Sequence, residues 1–474
     1  MSDTDVPKPT TKKIPTAANT LAVGVIGLDL HTTPVPRKQV VSWAFWDWAT
    51  QPFATVITTF VFTVYLTSSL FLDPAVAALG KGNPVYDRAV SDLSAGLGLA
   101  ITIAGLLVAL IAPVLGQRSD AAGRRKIWLA VNTALVVLSM ALMFFVEASP
   151  NFFVLGVALV AVGNVFAEIA NVHYNAMLVQ VSTAKTVGRV SGLGWGFGYL
   201  GGIIVLLLVY VLFIAGDAGG LLGVGEENGI NIRLVAITCA VWTLLFSIPI
   251  FLNVPEIAHD ANRRQRVSFF ASYVELVKDI ARLFRENRPT FWFLLASAVF
   301  RDGLAGVFTF GGVIAAVTFG FSFQNVLIFG IVANLTAGIS TIISGRFDDR
   351  FGPKAVIAFA LAGLVVTAVV LFFVHDGGTL AFWVGGLILT LFVGPAQAAS
   401  RSFLARVTPA GREGEIFGLY ATTGRAASFL SPLLWTVFIA VGGAQYWGIL
   451  GIAIVLAIGL GLLLLVKAPH VQVK

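Results

Sequence analysis

The chain has 474 residues, of which 57% are hydrophobic and only 12% are charged, with a formal net charge of +7. A water-soluble domain usually carries about twice this share of charge, so the composition excludes a soluble globular protein, and its hydrophobicity excludes a disordered one. The 49 glycines fit helices that pack closely in lipid, and the lone Cys239 excludes a disulfide framework, so we predict an integral membrane protein.

The predicted elements begin after a polar, proline-containing segment, residues 1–38, which we interpret as a disordered cytoplasmic tail. Twelve apolar stretches follow, each long enough for the roughly 20 helical residues that cross a membrane. A short C-terminal tail, 468–474, ends the chain. The predicted spans lie near 40–69, 90–116, 127–147, 152–179, 190–215, 232–253, 290–318, 323–344, 354–374, 379–400, 414–440 and 444–466.

The positions of lysine and arginine give an independent test of this topology. With a cytoplasmic N-terminus, 26 of the 31 Lys and Arg residues lie in cytoplasmic tails and connections, three lie outside and two lie within spans. Cytoplasmic loops of membrane proteins carry such an excess of cations. We therefore predict an all-α integral membrane fold with twelve transmembrane helices and both termini cytoplasmic.

The longest connection, residues 254–289, has a helical pattern of its own. The pattern predicts a cytoplasmic linker with an amphipathic helix at the membrane surface, and a solvated linker is the alternative. Arg263, Arg264 and Arg266 precede this helix. Its predicted apolar face is Phe270, Tyr273, Val277, Ile280 and Phe284, opposite Glu275, Lys278 and Arg282.

Enzyme signatures do not account for the sequence. The segment 196–201 satisfies the dinucleotide-binding pattern, but it lies inside an apolar span with no preceding strand. Gly194, Gly198 and Gly202, at four-residue steps, are instead typical of a close-packing helix face. The sequence has no Walker A loop, HExxH zinc site or G-x-S-x-G motif. We predict no enzyme activity, no cofactor, no resident metal and no nucleic-acid partner.

A repeated loop divides the chain into two similar halves, 39–253 and 290–467. Each copy lies two spans into a six-span half, as expected for an internal repeat. Its glycines allow a tight turn, and its aspartate can cap a helix N-terminus or pair with a cation. The first copy contains Gly116, Asp120, Gly123 and Arg124, and the second contains Gly345, Asp349, Gly352 and Lys354.

This paired loop resembles the cytoplasmic signature of the major facilitator superfamily. The resemblance implies two six-helix bundles and a conformational latch, in which the loop aspartate and arginine contact the other half. Asp120 and Arg124 match that pattern well. Asp349 and Gly352 also match it, but Pro353 replaces the usual first cation, so we expect the second latch to be weaker.

Further segments are similar to the vacuolar amino-acid effluxer-like (autophagy-related) branch of that superfamily, which includes many bacterial members. The resemblance covers about residues 40–465 and implies export or exchange of amino acids across a membrane. The segments that carry it are Trp43–Ala49 with Phe53–Thr55, Tyr174–Ala176, Ser191–Gly202, Asp302–Gly303, Gln397–Ser402, Phe417–Tyr420 and Gly424–Arg425.

Five charged residues fall within the predicted spans, where an isolated ionised side chain costs about 2.5–3.5 kcal/mol on insertion scales. They must therefore face the bundle interior, where a partner or a hydrated cavity lowers that cost. Three are acids and two are arginines, so one carboxylate is in excess. The five residues are Asp47, Glu168, Arg301, Asp302 and Arg425.

Helical geometry groups several polar residues with these charges. Glu168, Asn171 and Asn175 lie within about 60° of one another on span 4, and Asp47 shares a face of span 1 with Gln51. Asp47 and Glu168 both lie toward the cytoplasmic half of the membrane. We expect the two to be neighbours.

Two interpretations of the buried charges stay open. In the structural one, the acids neutralise the arginines and hold the bundle together. In the functional one, Glu168 or Asp47 couples protons, while Arg425 or Arg301 binds a cargo carboxylate through its forked guanidinium. A cavity with both charges suits a zwitterionic amino acid.

Other polar and aromatic groups have simpler interpretations. Trp43, Trp46 and Trp48, near the start of span 1, are interpreted as an interfacial belt. His173 is interpreted as an interfacial or cavity-lining residue, with a proton relay as the alternative.

The sequence thus predicts a monomeric secondary transporter in a cell membrane, the bacterial plasma membrane first. Its partners are a small polar solute, an amino acid first, together with membrane lipid and protons. Alternating access between the two halves is the expected mechanism. The alternatives are a sensor or scaffold that kept the fold without transport, and an exporter of another small metabolite or drug.

Overall fold

The computed structural model describes residue 28 and residues 34–215, 220–256 and 269–467. Within these ranges, twelve helices are long and apolar enough to cross a membrane, which confirms the predicted number of spans. The side of the membrane on which the termini lie stays a prediction. Spans 1 to 12 are Arg37–Leu66, Pro84–Ala122, Arg125–Phe145, Pro150–Gln180, Val187–Phe213, Glu227–Asn253, Arg288–Thr318, Ile328–Phe351, Pro353–Phe373, Gly378–Val407, Glu413–Gly442 and Trp447–Leu465.

Three sequence predictions concern residues outside the described ranges. They are most of the N-terminal tail (1–27 and 29–33), the arginine cluster before the linker helix, and the C-terminal tail 468–474.

The linker contains the predicted helix, which spans Phe269–Glu286. It buries Leu276 and Leu283 against the bundle, and neither residue was part of the predicted apolar face. Val277 and Phe284, which we predicted on the apolar face, are 67% and 42% exposed. The helix therefore packs on the protein through one apolar stripe and exposes a neighbouring one. The 3.6-residue period of the sequence does not tell which of the two stripes contacts the protein.

Two helices extend further toward the polar loops than the apolar stretches of the sequence indicate. Span 2 ends at Ala122 rather than near 116, and span 10 ends at Val407 rather than near 400. A helix continues its backbone hydrogen bonds beyond its last apolar residue, so an apolar window ends before the helix does. Arg401 and Arg406, which the sequence placed in a loop, are therefore helical and buried.

Span 5 packs closely against two neighbours through its glycines. A Cβ at Gly198 or Gly202 would contact Gln51 or Thr55 of span 1. On another face of span 5, a Cβ at Gly192 would collide with the backbone of span 8 in the other half. The predicted close-packing face thus contacts span 1, and a second glycine face joins the two halves.

The two halves meet toward one end of the bundle, which we call the basic end. It contains the turns that join span 2 to span 3 and span 8 to span 9, at residues 123–124 and 352. Toward this end span 2 packs on span 11, and span 5 packs on span 8. Hydrogen bonds between the halves extend from here to the middle of the spans. The structure is therefore the conformation closed at the basic end.

Cysteine labelling tests the predicted orientation of this end. Cys239 is the single cysteine of the sequence and is fully buried, so we expect Cys239→Ser to remove background labelling. Any labelling of a Cys239→Ser variant then reports the introduced thiol. In that background, Lys81→Cys and Arg124→Cys place one exposed thiol at each end of the bundle. We expect a membrane-impermeant maleimide to label Lys81→Cys in intact cells, and Arg124→Cys only after the membrane is opened. The reverse pattern would contradict the cytoplasmic placement of the basic end.

Candidate functional site

The first repeated loop contacts the opposite half. Asp120, near the end of span 2, accepts hydrogen bonds from the backbone N–H groups of Gly414 and Glu415, both at 3.0 Å. These groups belong to the first turn of span 11, which begins at Glu413. A helix N-terminus has unpaired N–H groups and a partial positive charge, so a buried carboxylate there links the two halves favourably.

The glycines of the first loop make this approach possible. Gly116 faces the backbone carbonyl of Gly414, and a Cβ at position 116 would overlap that carbonyl. Gly123 ends span 2 in the left-handed conformation, with φ of 61°, which glycine adopts without strain. The structure therefore places Gly116 and Gly123 in the same contact as Asp120.

The cation of the first latch is the neighbour of the predicted one. Arg125 donates from Nε to Asp120 at 2.8 Å and also pairs with Glu413 of the other half. Arg124 is exposed and forms no ion pair with a described residue. We therefore correct the assignment from Arg124 to Arg125. Arg124 precedes the helix with non-helical dihedrals (φ −129°, ψ 47°), whereas Arg125 is the first helical residue of span 3, so the two side chains take different directions.

The second repeated loop makes the corresponding contact in the opposite direction. Asp349 accepts hydrogen bonds from the backbone N–H groups of Gly188 at 2.8 Å and Arg189 at 3.2 Å, in the first turn of span 5. Gly345 packs against the Gly188 backbone, where a Cβ would be too close. The cation that Pro353 does not supply comes from Arg189, whose Nε donates to Asp349 at 2.8 Å. Both latches therefore place an aspartate on a helix N-terminus of the other half, but the cation comes from the aspartate's own half in the first latch and from the opposite half in the second.

The remaining predicted latch residues serve their own half. Gly352 has a φ of 86° in the turn between spans 8 and 9. Lys354 donates from Nζ to the carbonyls of Leu464 at 3.0 Å and Val466 at 2.6 Å, at the end of span 12. The assignment of Lys354 to the latch is thus corrected, because its ammonium caps a helix C-terminus of the same half.

An ion pair between Asp47 of span 1 and Arg401 of span 10 joins the halves beneath the latches. Arg401 Nη1 lies 3.4 Å from Asp47 Oδ2, which also accepts a hydrogen bond from the Tyr174 hydroxyl at 3.2 Å. Arg401 further donates to the side-chain oxygens of Asn175 and Ser191, both at 3.0 Å. The Arg401 and Asp47 side chains are only 4% and 10% exposed, so this pair is shielded from water.

Aromatic rings surround the Arg401 guanidinium. Its central carbon lies 5.0 Å from the ring centroid of Trp43, 5.6 Å from that of Tyr174 and 5.5 Å from that of Trp195, within the range of cation–π attraction. Trp43 and Trp46 are 0% and 1% exposed. They are therefore not the interfacial belt that we predicted, because they pack inside the N-terminal half against Tyr174.

A second ion pair between the halves is more accessible. Glu168 of span 4 pairs with Arg425 of span 11, and each side chain is 31% exposed. Gly105 of span 2 lies beside the Arg425 side chain. A partly hydrated pair can exchange its partners for the charged groups of a ligand more readily than a fully buried pair can.

Arg301 of span 7 has no carboxylate partner among the described residues. Its Nη1 donates to the backbone carbonyl of Tyr420 at 2.8 Å, and its guanidinium carbon lies 3.7 Å from the Tyr420 ring centroid. Gly424 lies against the guanidinium, one residue before Arg425. The region around Arg301, Arg425 and Glu168 therefore contains two cations and one carboxylate, a net charge of +1.

Asp302 has a structural position inside the C-terminal half. Span 11 breaks after Ala427, and its second segment starts at Leu430. The Asp302 carboxylate accepts a hydrogen bond from the Ser431 backbone N–H at 2.6 Å, and the Ser431 hydroxyl donates to the Asp302 carbonyl at 2.9 Å. Asp302 thus caps the new helix N-terminus at the break, which favours the structural interpretation for this residue.

The charge balance of the interior differs from the one counted in the sequence. The predicted spans held three acids and two arginines and so indicated a spare carboxylate. Arg401 adds a third arginine to this set, because the helix of span 10 continues beyond its apolar stretch. Asp47 and Glu168 are ion-paired with arginines of the other half. Asp302 and Arg301 are the two members of this set without a charged partner among the described residues: Asp302 binds Ser431, and Arg301 binds the Tyr420 carbonyl.

A small cavity of about 70 Å³ lies between spans 1, 3 and 4. Asp47, Gln51 and Asn171 line it together with the threonines Thr50 and Thr133. Spans 1 and 4 therefore flank a common space, but Glu168 does not line it, and the two carboxylates that we expected to be neighbours pair with different arginines. The space has room for about two water molecules.

His173 lies fully buried beside Trp128, with ring centroids 5.9 Å apart. Neither ring nitrogen has a hydrogen-bond partner in the part of the chain that the structure describes. No hydrogen bond therefore connects His173 to Glu168, and the interfacial interpretation is wrong because the side chain is inaccessible.

Comparison with known proteins identifies the family. The family model described as "Vacuole effluxer Atg22 like" matches residues 35–473. The chain belongs to this family.

The relatives of this Atg22-like chain and its fold agree with that assignment. It is 27% identical over 427 residues to "Uncharacterized MFS-type transporter YxiO" of Bacillus subtilis, over 90% of this chain and 94% of that protein. It is 26% identical over 311 residues to "Autophagy-related protein 22" of Cryptococcus neoformans var. neoformans serotype D, over 60% of this chain and 55% of the fungal protein. Its fold is similar to that of the proton:xylose symporter XylE, with a TM-score of 0.67, 14% identity and coverage of 90% and 94%. It is a multi-pass membrane transporter of the major facilitator superfamily and not an enzyme.

Sequence reasoning missed several residues of this Atg22-like site. Arg401 stands inside the motif 397–402 that supported the family resemblance, and that position was the available signal for its role. The sequence did not distinguish Arg125 from Arg124, because both lie in a run of three cations. Arg189 carries no signal of its own, since a single arginine at the start of a span is typical of any cytoplasmic loop.

Opening of the basic end tests the corrected latch. Ser119 is fully buried beside the first latch, so Ser119→Cys in a Cys239→Ser background reports its opening by the rate of alkylation. We expect Asp120→Asn or Arg125→Gln to raise this rate roughly tenfold or more, because charged hydrogen bonds contribute about 1.5–3 kcal/mol each.

Arg124→Gln is the matched control, and it should leave the alkylation rate within about twofold. An effect of Arg124→Gln equal to that of Arg125→Gln would return the latch role to the predicted residue.

Proposed function

We propose that the protein is a secondary transporter of small carboxylate-bearing solutes, with amino acids as the first class. Arg301 carries the proposal, because it packs against Tyr420 and Gly424 of the helical segment that carries Arg425, and it has no carboxylate partner among the described residues. A guanidinium within a membrane span is costly unless a counter-charge or water accompanies it. A cargo carboxylate supplies that counter-charge, and the planar guanidinium fork binds it through two hydrogen bonds.

A zwitterion can engage both signs of charge in this arrangement. Its carboxylate binds Arg301 or Arg425 and its ammonium binds Glu168, so neither charge of the cargo is left unpaired. The net charge of +1 on the three protein groups is unchanged, and one arginine keeps no carboxylate partner. Membership of a family described as vacuole effluxers supports transport in the direction of export. The bacterial plasma membrane is the proposed location, in line with the relative from Bacillus subtilis.

Alternating access is the proposed mechanism. Both latches and both ion pairs between the halves must separate for the basic end to open, so the described conformation holds the site closed toward that end. Cargo enters from the opposite end and leaves after the halves rock, or moves in the reverse order for export.

Uptake of amino acids into liposomes that contain the purified protein tests the cargo class. We expect Arg301→Gln to weaken cargo binding roughly 10- to 100-fold, because charged hydrogen bonds contribute about 1.5–3 kcal/mol. Arg301→Lys should have a smaller effect, since it keeps the charge but loses the fork. Lys81→Gln, at an exposed position far from the site, is the control.

Thermal melting of each variant separates a lost site from a lost fold. Transport of sugars alone would refute the amino-acid proposal. Binding of amino acids without movement across the membrane would favour a sensor or scaffold.

Proton coupling is the second part of the proposal and rests on Glu168 or Asp47. Each carboxylate is bound to an arginine of the other half, so its protonation weakens a contact that must break during transport. We expect Glu168→Gln or Asp47→Asn to abolish the pH dependence of transport in liposomes. Retention of the full pH dependence by both variants would exclude proton coupling through this pair of carboxylates.

A further inference from the structure

A large groove lies on the outer face of the C-terminal half, away from the contact with the N-terminal half. It occupies about 760 Å³ between spans 8 and 9, with span 10 as its floor. This volume falls within the range of roughly 300–1,000 Å³ that is common for small-molecule sites. Along span 8 it extends from Thr336 to Phe351, a distance of about 22 Å at 1.5 Å per residue.

The walls of the groove are apolar and suit a hydrocarbon chain. Phe347, Phe351 and Phe359 line it and are 51%, 61% and 72% exposed. Its two serines, Ser340 and Ser344, donate their hydroxyls to carbonyls of their own helix at 3.0 Å and 2.9 Å. No serine hydroxyl is therefore left to donate to a polar solute, and a transported amino acid does not fit here.

Two arginines stand at the basic end of the groove. Arg346 and Arg350 are exposed and one helical turn apart on span 8. Arg350 lies over the ring of Phe351, which lines the groove, with 5.3 Å between guanidinium carbon and ring centroid. The acids between them are engaged elsewhere, since Asp348 pairs with Arg406 and Asp349 caps span 5. The positive charges of Arg346 and Arg350 at the basic end of the groove are therefore available to a ligand.

We propose that this groove is a binding site for a phospholipid with an anionic headgroup. One acyl chain occupies the space between spans 8 and 9, and the phosphate binds Arg350 and Arg346. The groove is longer than one leaflet of a hydrocarbon core that is about 30 Å thick, so a chain can enter at the headgroup level and lie along the helix. Exposed cations at the end of a membrane span attract anionic lipid.

Native mass spectrometry of the full-length protein with added phosphatidylglycerol or phosphatidylcholine tests the proposal. We expect tighter retention of phosphatidylglycerol. Arg346→Gln/Arg350→Gln should weaken it roughly 30-fold while changing phosphatidylcholine little, since two cations near a membrane surface each contribute about fivefold. Ala355→Trp, at an exposed wall position, should fill the groove and reduce retention of both lipids.

Arg124→Gln removes an exposed cation from the same end of the other half and is the matched control. Melting temperatures verify that each variant is folded. Equal retention of the two lipids that is insensitive to the double arginine variant would overturn the proposal and indicate a groove that takes any hydrocarbon. Retention unchanged in Ala355→Trp would overturn it by placing the lipid elsewhere.

Discussion

A carboxylate of one half that caps a helix of the other half is the interaction on which the closed conformation depends. Asp120 binds the first N–H groups of span 11, and Asp349 binds those of span 5. A helix N-terminus in a closely packed interface must find acceptors for these groups. Glycines at 116 and 345 let the backbones approach until one aspartate reaches two N–H groups. The internal repeat supplies the arrangement twice, once in each direction.

Two ion pairs inside the bundle also join the opposite halves. Asp47 pairs with Arg401, and Glu168 pairs with Arg425, so both pairs join the N-terminal to the C-terminal bundle. In a low-dielectric interior such pairs are strong only while both members stay together. Separation of the halves therefore changes the electrostatics of the proposed cargo site. Arg301 differs from these groups, since only a backbone carbonyl and an aromatic ring accompany its charge.

The number of spans, the repeat and the family could be predicted because each depends on residue types spread over long segments. The pairing of individual charges could not. An apolar window stops at the first charge, so Arg401 was counted as a loop cation although its helix continues to Val407. Loop spacing does not decide which of Arg124 and Arg125 turns inward. Span 1 contains a π-helical segment from Pro52 to Phe60. A fixed step of about 100° per residue therefore does not predict which residues share a face along the whole of this span.

Because span 11 breaks after Ala427, its first segment is a short continuous helix that can move as one unit. Gly414, at one end, touches Asp120, and Arg425 lies about 17 Å further along the same uninterrupted helix. Asp302 fixes the position at which the segment ends, because it binds the start of the next segment. A displacement of Arg425 therefore also moves Gly414, because the helix backbone connects the two residues directly. The Glu168–Arg425 pair and the Asp120 contact at Gly414 are thus joined by one helical segment, and a change in its angle alters both.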